Sequence, residues 1–291
     1  MLILYIKIIL VMVFWGSAFV SGRMLALSYP PIVVAFLRFL VACAFLFPWL
    51  YYKEKKVWAS KLSHYGIFAM LGLFGVFLYN YTFLSGLKLV EAGRSSVIIS
   101  FNPVASAVIS VLFLKERLNR LQLLGVGFGL MGVLYVLSRG DLSSLITHGV
   151  DLGEMYLLIA VASWITYTIL GRKYMRGITA IQGISWTCLF GLLYLMPFAL
   201  SSGLIDAFFN LNTLDIINLI NLGFFSTCLG FIWYYEAVLE LGVAKTTSFI
   251  NLLPLVGVLT GILFLGEQPT MTLYLGGALT LVGVFIVNRF K

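Results

Sequence analysis

Carboxylates, histidines and cysteines are scarce in this sequence, and each scarcity closes off a class of chemistry. The two histidines, His64 and His148, fall in expected connections between apolar runs, so no zinc-type ligand cluster can be assembled. The three cysteines, Cys43, Cys188 and Cys228, lie singly inside apolar runs and read as small buried hydrophobes rather than redox or metal groups. Of the 11 acidic residues, no aspartate lies deep in an apolar run, which leaves no evident carboxylate relay for protons. Converging catalytic side chains are missing as well, so an enzyme is not expected, nor any bound metal or cofactor. Charged residues make up 10% of the chain and apolar ones 61%, with a mean hydropathy of +1.04. Soluble domains have about 25% charged and 45–50% apolar residues. Such a chain cannot hide its apolar surface in one aqueous core, and the lipid bilayer must be part of its solvent. The net charge of +8 does not point to nucleic acid, because the cations sit between hydrophobic runs, where they orient helices.

Long apolar runs are what the sequence has in abundance. A membrane-crossing helix needs roughly 20 such residues. Runs bounded by charges or turn residues occur at 4–22, 31–50, 64–87, 95–114, 121–138, 152–170, 178–200, 214–237, 246–265 and 271–288. Ten helices of that length leave only short connections and no domain outside the membrane. Lys53, Lys55, Lys56 and Lys61 lie between the second and third runs; Lys115, Arg117 and Arg120 between the fourth and fifth; Arg172, Lys173 and Arg176 between the sixth and seventh. Lys7, Lys245, Arg289 and Lys291 fall on the same side. The opposite side has Arg23, Lys88, Arg94 and Arg139, together with Asp141, Asp151, Asp206 and Asp215. The positive-inside rule then predicts a multi-pass protein of a bacterial inner (cytoplasmic) membrane with both termini in the cytoplasm.

An internal repeat organises these runs. At an offset of 149, Trp15 meets Trp164, Gly22-Arg23 meets Gly171-Arg172, and Pro48 meets Pro197. At 151, Pro103 meets Pro254, Glu116 meets Glu267, Gly125 meets Gly276, Gly132 meets Gly283, and Arg94-Ser95-Ser96 meets Lys245-Thr246-Thr247. Proline, tryptophan and charge are rare here, so a shared register among them indicates duplication, with units at 1–140 and 141–291. The same repeat argues against reading the first 25 residues as a cleaved signal peptide, since that segment has a partner later in the chain. Five helices per unit is an odd number, so the second copy crosses the membrane in the opposite sense. Inverted repeats recur in secondary transporters because two such halves can exchange conformations around a site near mid-membrane.

Several motifs resemble the EamA-type family of the drug/metabolite transporter superfamily. They are Trp15-Gly16-Ser17-Ala18-Phe19 in the first run, Arg38-Phe39 in the second, Phe113-Leu114-Lys115-Glu116-Arg117-Leu118 with Gly125 and Gly132, and Phe264-Leu265-Gly266-Glu267. The resemblance covers nearly the whole chain. It implies ten helices, with a central cavity made by helices one to four and six to nine and with five and ten outside it. It also implies export of amino acids, other metabolites or drugs, in some members through an aromatic-lined cavity. The sixth run departs from the pattern, having Trp164-Ile165 where the first has Trp15-Gly16.

Trp15 and Trp164 are the sharpest candidates for substrate contact. Tryptophan favours membrane interfaces, yet both lie about a dozen residues into their runs; the plain alternative is packing or lipid contact. Tyr79-Asn80-Tyr81 and Trp233-Tyr234-Tyr235 are polar-aromatic triplets within runs, and adjacent helical residues point about 100° apart. Tyr79 and Tyr234 are placed in the cavity, then Tyr81 and Trp233, against the alternative of hydrogen-bonded helix packing. Asn102-Pro103 and Pro254 break backbone bonding inside the fourth and ninth runs, for a site or only for a bend. Arg38, well inside the second run, serves either as a structural anchor or as the contact for a substrate carboxylate. Glu236 is the coupling candidate, while Glu116 and Glu267 read as supports for a following helix N-terminus. Arg38, Arg94 and Lys245 together define the alternative of a carrier for anionic metabolites. A membrane-embedded enzyme or a channel are the alternatives of another class. The glycines of runs five and ten make close-packing faces, with a homodimer contact as one further use.

Overall fold

The computed structural model describes residues 2–58, 61–114, 118–141, 143, 147, 149–175 and 177–289. Lys115, Glu116, Arg117, His148, Arg176 and Lys291 lie outside the described residues. In hydrocarbon each backbone polar group must find a partner within its own segment or a closed sheet, and these runs resolve the requirement as helices. No strand occurs among the described residues.

The elements are α1 (Leu2–Ser28), α2 (Pro31–Glu54), α3 (Ser63–Leu89), α4 (Ala92–Ser100), α5 (Asn102–Leu114), α6 (Arg120–Leu137), α7 (Leu152–Tyr174), α8 (Ala180–Ser201), α9 (Leu204–Phe209), α10 (Thr213–Leu241), α11 (Val243–Ser248), α12 (Leu252–Leu265) and α13 (Met271–Arg289). Starts follow local chemistry. Pro31 opens α2 at a position where its missing N–H costs nothing. Asn119 with Gln122, and Asn212 with Asp215, form reciprocal capping boxes at α6 and α10.

Among the described residues nine helical segments are long and apolar enough to cross a membrane, so the chain is an all-α membrane protein. The fourth expected run instead appears as two successive helices, α4 and α5, separated at Phe101. Pro103 has no N–H and its ring crowds the carbonyl four residues earlier, which ends the first helix. The ninth run behaves alike, with a tight turn at Phe249–Asn251 just before Pro254. Wide π-helical turns interrupt α3 at Gly72–Leu78 and α10 at Asn221–Leu229, positions that coincide under the repeat offset. Each is closed by an N–H reaching five residues back, Tyr79 to Phe74 and Gly230 to Phe225.

Helices α6 and α13 lie against each other along their glycine faces. A Cβ at Gly125 would sit 3.0 Å from the Gly283 carbonyl oxygen, and one at Gly276 would sit 2.9 Å from that of Gly132. The backbones touch, as small-residue faces allow in lipid. These glycine faces are therefore occupied within one chain, which removes them as the dimer surface expected from sequence. Nor do α6 and α13 stay wholly outside the central cavity: Gln122 of α6 and Asn288 of α13 line one end of it.

Candidate functional site

The cavity has a volume of about 670 Å³ and runs between the two halves of the chain. Its wall is a continuous series of aromatic rings. Tyr234 lies 5.2 Å from Trp15, Trp15 lies 5.6 Å from Phe231, and Phe231 lies 6.3 Å from Trp164, all centroid to centroid. The series continues from Trp164 to Tyr79 at 5.1 Å, to Phe83 at 5.6 Å and to Phe19 at 5.2 Å. Phe231 thus joins the two tryptophans that the repeat pairs, near the middle of α1 and α7.

Hydrogen bonding fixes the first of these rings. The Trp15 indole Nε1–H donates to the Ser226 carbonyl at 2.8 Å, and Ser226 Oγ donates back to the Phe14 carbonyl at 2.8 Å. Both contacts reach the π-helical turn of α10. Gly230 makes the approach possible, since a Cβ there would lie 2.7 Å from the indole nitrogen. The equivalent turn in α3 is held from the other half, by Ser163 Oγ donating to the Phe74 carbonyl at 2.7 Å.

Arg38 also lines the cavity and is buried, at 8% exposure. Its Nε–H donates to Thr227 Oγ1 at 3.2 Å and its Nη1–H to Asn80 Oδ1 at 2.9 Å, while Phe39 presents its ring 5.4 Å away. Among the described residues it makes no ion pair; the pairs there are Lys7–Glu236, Arg23–Glu267, Arg94–Glu154 and Arg139–Asp151. A guanidinium stays charged at any accessible pH, so this site holds a positive charge beside an aromatic wall, with no counter-charge paired to it among the described residues.

Of the residues singled out from sequence, Trp15, Trp164, Tyr79, Tyr234, Asn102 and Arg38 come together around the cavity. Tyr81 and Trp233 do not. Tyr81 turns to the edge of Tyr156 at 6.3 Å, and Trp233 packs on Phe14 at 6.0 Å with Lys7 over its ring. Two steps along a helix rotate a side chain by about 200°, so Tyr79 and Tyr81 cannot share a face. Glu236 is also elsewhere, gripped by Lys7 Nζ at 2.8 and 2.9 Å in a partly exposed pair. The three-cation site is not assembled either. Arg94 is bound to Glu154 and to the Leu137 carbonyl, Lys245 is exposed, and neither lines the cavity with Arg38. Phe231 and Phe83, and Phe19, which sequence marks only as the end of a family motif, are not among the expected contacts, although each lies one helical turn from one.

The two ends of the cavity differ. Leu118, Gln122, Arg172 and Asn288 line it toward the end of the bundle that carries the lysine- and arginine-rich connections. The opposite end is tied shut. Glu267, beyond α12, accepts from the N–H groups of Ala92 at 2.6 Å and Gly93 at 2.9 Å, and lies 3.7 Å from Arg23 Nε. It therefore supports the N-terminus of α4 in the other half, not that of the helix which follows it, as sequence order suggested. Arg23 donates to the carbonyls of Leu87 and Val90 at the end of α3. Nearby, the Tyr29 hydroxyl donates to Asp215 at 2.7 Å, and that bond holds the phenol above its ordinary pKa.

Comparison with known proteins gives concordant matches. The profile of the EamA-like transporter family matches residues 2–138 and 151–289. The uncharacterized transporter YyaM of Bacillus subtilis is 25% identical, covering 98% of this chain and 93% of its own. An uncharacterized transporter of Archaeoglobus fulgidus is 29% identical, covering 98% of both. A protein of Salmonella typhimurium named as a probable amino-acid metabolite efflux pump is 28% identical, covering 96% of this chain and 92% of its own. One crystal structure aligns with a TM-score of 0.64 at 15% identity, over 98% of this chain and 96% of that one, a likeness of fold alone.

Proposed function

Since this chain belongs to the EamA-like transporter family, we propose that it is a secondary carrier exporting amino acids, aromatic ones foremost, by alternating access. The observation that carries this is the pair of repeat-related tryptophans joined by Phe231 in the wall of a mid-membrane cavity. Flat apolar rings favour a flat apolar solute through offset and edge contacts. Trp15, Trp164, Tyr79, Tyr234, Asn102 and Arg38 are the substrate-contacting set in this reading. The printed name of the Salmonella relative supports an amino-acid substrate.

Alternating access draws support from the repeat. The family profile matches in two segments, and both the π-helical turns and the breaks before Pro103 and Pro254 recur in register. We read residues 1–140 and 141–291 as the two inverted units. The cavity reaches the cation-rich end while the other end is tied by Glu267, which corresponds to an inward-facing state in a bacterial inner membrane with both termini cytoplasmic. A carrier of anionic metabolites is the second reading, favoured only by the charge of Arg38, which has no counter-charge paired to it among the described residues.

Purified protein in liposomes preloaded with unlabelled phenylalanine, tyrosine or tryptophan should accumulate the labelled amino acid by counterflow, and Trp15→Ala should abolish it. Saturable counterflow would distinguish a carrier from a channel. Failure of counterflow with every amino acid tried would sink the proposal.

A further inference from the structure

Behind Tyr79 and Trp164 lies a second, smaller chamber of about 40 Å³. Arg38, Tyr79, Trp164 and Phe231 border both this chamber and the large cavity, so the two are neighbours across one wall. Its polar lining includes one cation and several groups that can donate, with Cys188 beside them. Arg38 contributes its guanidinium, of which the Nε–H and one Nη1–H are engaged by Thr227 and Asn80. Asn80 turns its oxygen to that arginine and its NH₂ to the Val76 carbonyl at 3.0 Å, so it offers no acceptor to the chamber beyond the one already used. Thr187 is 3% exposed, and its Oγ1 has no hydrogen-bond partner among the described residues. Tyr167 adds a phenol. Among the described residues no carboxylate lines the chamber.

A buried polar group without a partner is costly, and a buried charge without a counter-charge more so. One group relieves both at once: a small anion, accepting from the free edge of the guanidinium and from the threonine hydroxyl. A water molecule needs roughly 10–15 Å³ of such volume, so the chamber has room for a carboxylate group or a halide ion. We propose that this chamber is a seat for one negative charge on a small group, with Arg38 and Thr187 as its holding residues. The charge comes from the carboxylate of a transported solute or, with no solute bound, from a halide. In the first case the inference rests on the amino-acid reading above. It then fixes the orientation of the solute, carboxylate in the chamber and ring past Tyr79 and Trp164 against Phe231 and Trp15.

The test uses the full-length protein in detergent at constant ionic strength. Replacing gluconate by bromide should raise the thermal unfolding temperature of the unaltered protein, with no rise in Arg38→Gln and a reduced one in Thr187→Val. In calorimetric titration, Thr187→Val should weaken L-phenylalanine roughly tenfold, the loss of one charge-assisted hydrogen bond, and leave phenethylamine, which lacks the carboxylate, unchanged. A bromide response in the absence of any amino-acid binding upholds the seat and discards the solute reading. Amino-acid binding that neither variant alters, or an equal bromide response in all three proteins, overturns the seat and leaves the carrier reading standing. Thr187→Val replaces a hydroxyl by a methyl of similar size, so it tests the idea even if Arg38→Gln fails to fold.

Discussion

Glu267→Gln should release the closed end of the cavity. The substitution keeps the side chain's volume and removes its charge. In the structure both carboxylate oxygens accept, from Ala92 N–H at 2.6 Å and Gly93 N–H at 2.9 Å, and Arg23 lies 3.7 Å away. A glutamine can keep one of these amide bonds through its oxygen, but its NH₂ then faces the other N–H. The loss is one hydrogen bond to a charged acceptor, about 1.5–3 kcal/mol, together with a long ion pair worth under about 1 kcal/mol. A net 2–3 kcal/mol corresponds to a shift of roughly 30- to 150-fold between closed and open states of this end. Ser96 reports on that opening: it is fully buried in α4, and its Oγ donates to the Gly93 carbonyl at 2.7 Å. It also packs on Gly257 of α12, in the other half. A Ser96→Cys protein should therefore react slowly with a membrane-impermeant maleimide, and at least about 30-fold faster when Glu267→Gln is added. The three native cysteines are buried, and a protein lacking the new cysteine supplies their background. Equal labelling rates with Glu and Gln at 267, in proteins of equal unfolding temperature, would refute the argument that this carboxylate holds the end shut.

Glu236→Gln should leave the transport rate and its response to an imposed pH gradient within about twofold of the unaltered protein, because partly exposed pairs such as Lys7–Glu236 contribute little. Loss of the pH-gradient response in proteoliposomes would restore Glu236 as the coupling group. Gly283→Ala should lower the unfolding temperature, since the new Cβ would sit 2.6 Å from the Gly125 carbonyl oxygen and the Gly129 Cα, an overpacking that costs about 1–3 kcal/mol. Gly127→Ala, with nothing within 4 Å of its Cβ, is the matched control, and equal unfolding temperatures for the two variants would contradict the packing described for α6 and α13.

The helices were legible because hydropathy at this strength leaves few alternatives, and most expected runs end within a few residues of the observed helices, although α1 runs on to Ser28 and the fourth run is broken at Phe101. Trp15 and Trp164 were legible for a different reason: rare residues in a repeat register stand out from an apolar background. Phenylalanine does not, and with 24 of them in the chain Phe231, Phe19 and Phe83 carried no signal by identity. Spacing carries it instead. Phe19 follows Trp15 by four residues, Phe83 follows Tyr79 by four, and Phe231 precedes Tyr234 by three, each on the same helical face. Tyr81 and Trp233 match the cavity tyrosines in aromatic type but not in angle, lying two residues from Tyr79 and one from Tyr234. Glu267 was misread because sequence shows only its own neighbours, whereas the N–H groups it accepts from lie some 175 residues away. The partners of Arg94 and Lys7, Glu154 and Glu236, are hidden from sequence for the same reason.

The repeat makes the difference between the two ends of the molecule informative. Arg23 and Arg172 correspond at the sequence offset of 149, each following a glycine near the end of a helix, α1 and α7. If the halves were locked in one symmetric arrangement, the two arginines would have matching surroundings. They do not. Arg23 is drawn into the closed end, donating to the carbonyls that finish α3 and facing Glu267, whereas Arg172 lines the large cavity at the opposite end. The other repeat-related features keep their register: the π-helical turns, the breaks before the prolines, and the two central tryptophans on either side of Phe231. Local structure therefore recurs at the repeat offsets, while the relation to the large cavity does not. That combination is what the proposed mechanism requires of any single state, because two similar halves in dissimilar arrangements can exchange those arrangements at little net cost in free energy. A fixed pore or scaffold has no need of it.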